Sequence, residues 1–171
     1  VADGNTISDY DKEEIKRQFS ISTTMVPIEY EGAEGKIKIN LLDTPGYFDF
    51  VGEVEEAVSA ADAAIIVVNC KAGIEVGTEK AWDLCEEYKL PRIIFVTNMD
   101  DDHASFRELI LKLEKKFGRK IAPFQVPIRE NEKFVGFVNA VKMQGRRFTN
   151  LSDYEDCEIP EYTKKNLGII R

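Results

Sequence analysis

The stretch "LLDTPGYFDF", Leu41 to Phe50, decides how the rest is read. An apolar run ends in the carboxylate of Asp43. A Thr-Pro-Gly turn follows, and then an acidic, amphipathic segment. A buried strand that stops at an acid and a glycine leaves two chemical tools at its carboxyl end. The acid accepts hydrogen bonds or holds a cation through water. The glycine lets a backbone N–H approach an anion closely, because no side chain stands in the way. The plain alternative is that Asp43 caps the next helix. The two readings differ in what else the chain must carry.

Working outward, strand and helix patterns alternate. "TTMVPIEY", Thr23–Tyr30, is β-branched, and Pro27 marks it as an edge strand. The turn "EGAEG" and the run Lys36–Leu42 complete a hairpin. Phe50, Val51, Val54 and Val58 recur at helical spacing, which predicts a helix over Asp49–Ala60. The apolar runs Ala63–Asn69 and Arg92–Thr97 read as strands buried on both faces of a sheet. Between them, Thr78–Tyr88 reads as a helix that turns Ala81, Trp82 and Cys85 inward. Ser105 and Glu108 form a capping-box pattern. The helix behind them buries Phe106, Leu109, Ile110, Leu113 and Phe117 and stops at Gly118. At the start, Ser8 is placed to cap a short helix over Tyr10–Arg17. This alternation predicts an α/β fold with a mostly parallel sheet.

The pattern changes after Ile128. Lys133–Phe148 reads as two strands around a bend, and Thr149–Arg171 is polar without a strong period. The expected division is 1–129 and 130–171.

Bulk properties narrow the function. The chain has 171 residues, 43% hydrophobic and 32% charged, which fits a globular domain with a real core. A net charge of −8 argues against charge-driven binding to free DNA or to an anionic membrane. The three cysteines, Cys70, Cys85 and Cys157, have no zinc-like spacing, which fits a reducing compartment. No apolar run approaches membrane-spanning length, and the acidic start is not a signal peptide. The expected location is the cytoplasm, with no membrane partner.

A second strand end carries acids. Asp100 follows Arg92–Thr97, and a carboxylate there can accept both N1–H and N2–H₂ of guanine. Its neighbourhood, "DDDH" at Asp100–His103, reads either as a metal cluster or as a solvated loop before a helix. "GRRF", Gly145–Phe148, reads either as an RNA contact or as a solvated turn. Tyr47 and Phe48 read either as a partner-facing surface or as packing.

With these residues in hand, the chain resembles the GTP-binding proteins, and within them translation elongation factor G and its relatives. "DTPG" at Asp43–Gly46 matches their third sequence element. "TNMD" at Thr97–Asp100 resembles their base-reading element. "DTPGYFDFVGEVEEAVSAAD", "GIEVGTEKAWDLCEEYKLPRIIFV" and "PFQVPI" follow the same register, and "KRQFSIS" sits at the position of their switch segment. The resemblance runs from about Asp9 to Phe148.

It implies a truncated P-loop GTPase-type three-layer sheet with part of an inserted α+β subdomain. It implies GTP or GDP and Mg²⁺ as ligands, and the ribosome as partner. By the same resemblance, Ser20 and Asp43 hold Mg²⁺, and Gly46 senses the γ-phosphate. Tyr47 stands where a histidine usually positions water. Asp100 reads guanine, flanked by Thr97 and Asn98, where the family usually has asparagine and lysine. Tyrosine hydrogen-bonds water but is no base near neutral pH.

The sequence contains no Gly-x-x-x-x-Gly-Lys-Ser/Thr phosphate loop. The nearest lookalike, Gly32–Ile37, reads as a hairpin turn. These points lead to the expectation of an internal fragment of a larger factor, inactive by itself, or of a scaffold that kept the fold without nucleotide. The missing central strand would leave a slot of roughly 10 Å. Either the strands Lys36–Leu42 and Ala63–Asn69 close it by pairing directly, or a second chain fills it.

Overall fold

The computed structural model describes residues 6–32, 35–101, 103–131, 133–150 and 153–167. It divides into two compact units. One comprises Val1–Ile66 with Val76–Ile94, the other Val67–Glu75 with Phe95–Arg171.

The first unit opens with α1, Lys12–Arg17. Its cap is Asp11, which accepts from the Glu13 N–H, while Glu14 reaches back to the Asp11 N–H. The expected Ser8 cap is therefore wrong: the Asp-x-x-Glu pair at 11–14 satisfies the free amides reciprocally and starts the helix later. The helix ends on Gln18 in the left-handed region, φ 61°.

The hairpin follows, β1 (Thr24–Gly32) against β2 (Gly35–Asp43), antiparallel. Directly opposed residues share a face. One face therefore carries the pairs Val26/Leu41, Ile28/Ile39 and Tyr30/Ile37, and the other Glu29/Lys38 and Glu31/Lys36. A hairpin here bears out the reading of Gly32–Ile37, although Ala33 and Glu34 of the turn lie outside the described residues. A 3-10 turn, Phe48–Phe50, leads into α2, Val51–Ala60, which buries Ala57. Val51 is exposed, so the inward face lies one step round from the expected one.

The strands β3 (Ala64–Asn69) and β4 (Arg92–Thr97) pair with each other and contribute to both units. The amides of Ala64 and Cys70 donate to the carbonyls of Pro91 and Thr97, the same offset at both ends, so the strands run parallel. Burial alternates along β3: Ile66 and Val68 are inside, whereas Ile65 and Val67 are 58% and 61% exposed. Ile93 and Phe95 of β4 are exposed too. Burial on both faces is thus not what these strands show. A sheet covered on one side alternates in this way. Between the strands lies α3, Val76–Glu87, which buries Trp82 and Cys85 as its periodicity predicts. The Arg92 guanidinium stacks on Trp82 at 3.9 Å from the ring centroid.

The second unit is built on α4, Phe106–Phe117, and a four-stranded antiparallel sheet. The Ser105 hydroxyl accepts from the Glu108 N–H, Leu109 and Leu113 are buried, and Gly118 at φ 80° ends the helix. The sheet runs in the order β5 (Gln125–Glu130), β6 (Lys133–Asn139), β7 (Gln144–Phe148) and β8 (Tyr154–Cys157). Val126, Ile128 and Val138 form its buried centre. "GRRF" belongs to β7 and is not a turn. The polar tail, read as aperiodic, supplies β8 and a short helix, α5 (Glu161–Leu167).

Two sheet-level expectations are corrected. Among the described strands only β3 and β4 pair in parallel, so the sheet is not mostly parallel. Nor do β2 and β3 close on each other, since β1–β2 and β3–β4 are separate sheets. The three-layer sheet is accordingly not continuous among the described strands. Mixed helices and strands of α/β type are what remains of the expectation.

Candidate functional site

Residues singled out in the sequence fall into a set around Asp43 in the first unit and a set around Asp100 in the second.

On the first side, β2 ends at Asp43, which is half-buried. It does not cap the next helix. The cap positions are Tyr47 for the 3-10 turn and Phe50 for α2, and neither makes a side-chain cap bond. Pro45 is buried and Gly46 exposed. A Cβ built on Gly46 meets nothing within 4 Å, so the space beside its backbone is open. Tyr47 is 57% exposed, yet its ring packs edge-on against Phe19 at 4.8 Å between centroids. Phe19 also lies 6.3 Å from Phe50. Tyr47 is therefore both packed and accessible. Phe48 carries the Lys80 ammonium over its ring at 4.4 Å.

Ser20 lies in the segment between α1 and β1. Its hydroxyl donates to Asp9 Oδ1 at 2.7 Å, and Asp9 is buried. The segment's backbone is tied down by two glutamates. Glu14, only 3% exposed, accepts from the N–H groups of Ile21 and Ser22 at 2.9 and 3.1 Å. Glu53 of α2 accepts from the Thr23 N–H at 2.6 Å, and the Thr23 hydroxyl donates to the Glu53 carbonyl at 3.0 Å. Bonds from N–H to carboxylate are charge-assisted and stronger than neutral ones. Residues 19–23 are thus fastened to the helix that follows the Asp43 loop, by a ring contact and by Glu53. Sequence reasoning missed Asp9, Glu14 and Glu53. Only Glu14 left a legible trace, as the far end of the Asp11 capping box.

On the second side, Thr97 ends β4, and its carbonyl accepts from Cys70. Asn98 turns the chain at φ 54°, and asparagine tolerates that region better than most residues. Its Oδ1 accepts from Asn69 Nδ2 at 3.0 Å. Asn69 Oδ1 in turn accepts from the amides of Lys71 and Ala72. Asp100 is exposed. Asp101 accepts from the His103 N–H at 2.9 Å and pairs with Lys71 at 3.2 Å. The His103 N–H first, and the Lys71 ammonium next, hold the Asp101 carboxyl below the ordinary carboxylate range. Among the described residues no group of three acids, histidines or cysteines could hold a metal ion; Asp102 of "DDDH" lies outside them. Burial pushes the thiols of Cys70 and Cys85 up, against the nearby charges of Arg129 and Arg92.

Each unit thus carries a loop just past the carboxyl end of a strand, one offering an acid and a bare glycine, the other an exposed acid on a fixed turn. The chain belongs to the elongation factor Tu GTP binding domain family, whose model matches residues 1–161. It is 37% identical over 153 residues to an elongation factor G-like protein of Thermotoga maritima, covering 90% of this chain and 22% of that protein. A mitochondrial ribosome-releasing factor 2 of Anopheles gambiae is 36% identical over 138 residues, 81% of this chain and 18% of that protein. A crystal structure of a protein from Thermus thermophilus superposes with a TM-score of 0.90 at 32% identity, covering 99% of this chain and 25% of that one. The chain spans about a fifth of the length of these curated relatives. No described helix is long and apolar enough to cross a membrane.

Proposed function

We propose that this chain is the switch-bearing and base-reading part of a GTP-dependent, ribosome-associated translation factor of the elongation factor G type, acting in the cytoplasm. The observation that carries the reading is the position of Asp43–Gly46 and Thr97–Asp100, each at the carboxyl end of its own strand. The family match supports guanine nucleotide as ligand.

In this reading the Gly46 N–H meets the terminal phosphate, and the open space beside it is what close approach needs. Asp100 accepts N1–H and N2–H₂ of guanine, and the turn at Asn98 aims it. Thr97 and Asn98 act through the backbone. Asn98 is held by Asn69, so its side chain shapes the loop and does not cover the base. Tyr47 donates to or accepts from a water in line with the γ-phosphate, held in place by Phe19. Ser20 and Asp43 offer the hard oxygen donors that Mg²⁺ takes alongside phosphate and water oxygens. When bound, Mg²⁺ neutralises charge on the phosphates. Donation to Asp9 uses the Ser20 proton and leaves the oxygen lone pairs, so the hydroxyl would still offer an oxygen to Mg²⁺. Among the described strands β2 and β3 each pair on one side, and their other edges would accept a strand from elsewhere in the protein or from a second chain.

A second reading is a scaffold that keeps the fold without hydrolysis. The engagement of Asn98 by Asn69 favours it, since that side chain is held within the protein. A titration of fluorescent GDP and GTP with Mg²⁺, with ATP as competitor, separates the two. Guanine-selective saturation supports the first reading. No binding by this chain up to millimolar nucleotide supports the second.

A further inference from the structure

The base-side loop is gripped from behind by a residue that belongs to the antiparallel sheet. The Arg129 guanidinium, through one nitrogen, donates to the carbonyls of Met99 and of Asp101, the latter at 3.3 Å. These two carbonyls flank Asp100. The Met99 carbonyl belongs to the peptide plane before Asp100, and the Asp101 N–H, which donates to the Asn98 carbonyl at 3.3 Å, belongs to the plane after it. With both planes held and Arg129 also tying down the Asp101 carbonyl, the direction in which the Asp100 side chain leaves the backbone is set. On the other side of the loop, Lys71 pairs with Asp101. Asp100 itself is exposed.

Arg129 is placed by two features. The pairing of β5 with β6 shifts register between Ile128 and Arg129, a local irregularity that redirects side chains. In addition, the Tyr162 hydroxyl of α5 closes on the Arg129 backbone from outside the sheet. It accepts from the Arg129 N–H at 2.9 Å and donates to the Arg129 carbonyl at 2.6 Å. The strand β5 lies at the edge of its sheet among the described strands, and Tyr162 meets the Arg129 backbone there. Thr163, the next residue, is fully buried, so α5 is seated and not merely near.

From this geometry we propose that Arg129 is the positioning residue of the base-reading loop, and that Tyr162 holds it there. Docking of α5 on β5 thereby sets how well Asp100 discriminates the base. The claim about base discrimination rests on the proposed guanine site; the claim about loop order does not.

The test uses the whole chain as Arg129→Met, Arg129→Lys and Tyr162→Phe, with two readouts. Without nucleotide, amide hydrogen exchange of Met99–Ala104 rises about tenfold or more in Arg129→Met, as the loss of a charged hydrogen-bond donor predicts. The rise is smaller in Tyr162→Phe and mostly recovered in Arg129→Lys, while the amides of β6 and β7 keep their protection. With nucleotide, the ratio of GDP to IDP affinity falls in Arg129→Met, because IDP lacks the N2–H₂ that Asp100 accepts. Loss of protection in β6 and β7 together with the loop would identify a folding defect in that variant, and Tyr162→Phe and Arg129→Lys then decide. Unchanged loop exchange in both Arg129→Met and Tyr162→Phe overturns the proposal. If wild type binds neither GDP nor IDP while the exchange pattern is as expected, the guanine reading fails and the positioning role stands.

Discussion

The two candidate loops rest on different foundations. The Thr97–Asp100 loop grows from a packed unit. Leu109, Leu113, Val68, Val126, Ile128 and Val138 are all essentially fully buried there, and Arg129 reaches the loop from that same framework. Among the described residues of the other unit, Cys85 is the apolar side chain buried to that degree. Its switch segment is fastened by carboxylates, Glu14 and Glu53, and by the Phe19–Tyr47 ring contact, beside a hairpin whose apolar face is exposed. In the proposed reading, a rigid loop suits base recognition and exchangeable polar tethers suit a switch that moves, because moving parts come from the less stable end of a structure.

Substitutions can break or sharpen this contrast. The largest effect is expected in the packed unit. A Cβ on Gly136 would stand 2.1 Å from the Arg146 carbonyl oxygen across the β6–β7 ladder, a clash with backbone that no rotamer relieves. Gly136→Ala should therefore destabilise by about 3 kcal/mol, the upper part of the overpacking range, measured by denaturant unfolding. In the tethered unit, Glu14→Gln weakens two backbone bonds to a buried carboxylate. Its expected cost is about 1–3 kcal/mol, appearing mainly as faster amide exchange at Ile21 and Ser22. A cost spread equally over both units would remove the distinction.

Acid supplies a gentler probe. The folded Asp101 carboxyl lies below its unfolded value, so its contribution is present above the ordinary aspartate pKa of about 3.9 and is lost as pH falls through the folded value. The chemical shift of the Lys71 ammonium should change in acid as Asp101 takes up its proton, and Asp101→Asn should abolish that step. Thiol chemistry gives a smaller signal. Because burial keeps Cys70 and Cys85 protonated at neutral pH, alkylation should begin at the less buried Cys157. Smallest of all is Gly46→Ala, within about 0.5 kcal/mol of wild type, since open space surrounds it and its φ is not positive. If that same variant loses preference for GTP over GDP, Gly46 is a functional glycine where Gly136 is a structural one.

Much of this was legible in the chain. Apolar runs marked β3 and β4, Ser105 and Gly118 bounded α4, and both strand-end loops could be named by residue. Each depends on neighbours within a few positions, which a sequence displays directly. The burial of β3 and β4 was misjudged, because an apolar run says how much a strand can bury and not how many layers cover it. The tail was misjudged because β8 is an edge strand and α5 is short and polar, so neither needs a strong period.

Sequence alone thus determined the local conformations, the family resemblance and the acids and glycine offered at two strand ends. Tertiary structure decided which side chains hold them. Glu53 meets Thr23, Asn69 meets Asn98, and Tyr162 meets Arg129 across about thirty residues each, and no motif marks those pairs. The physical reason is that a hydrogen bond between distant residues is specified by the folding of everything between them, whereas a cap, a turn or a strand period is specified where it stands.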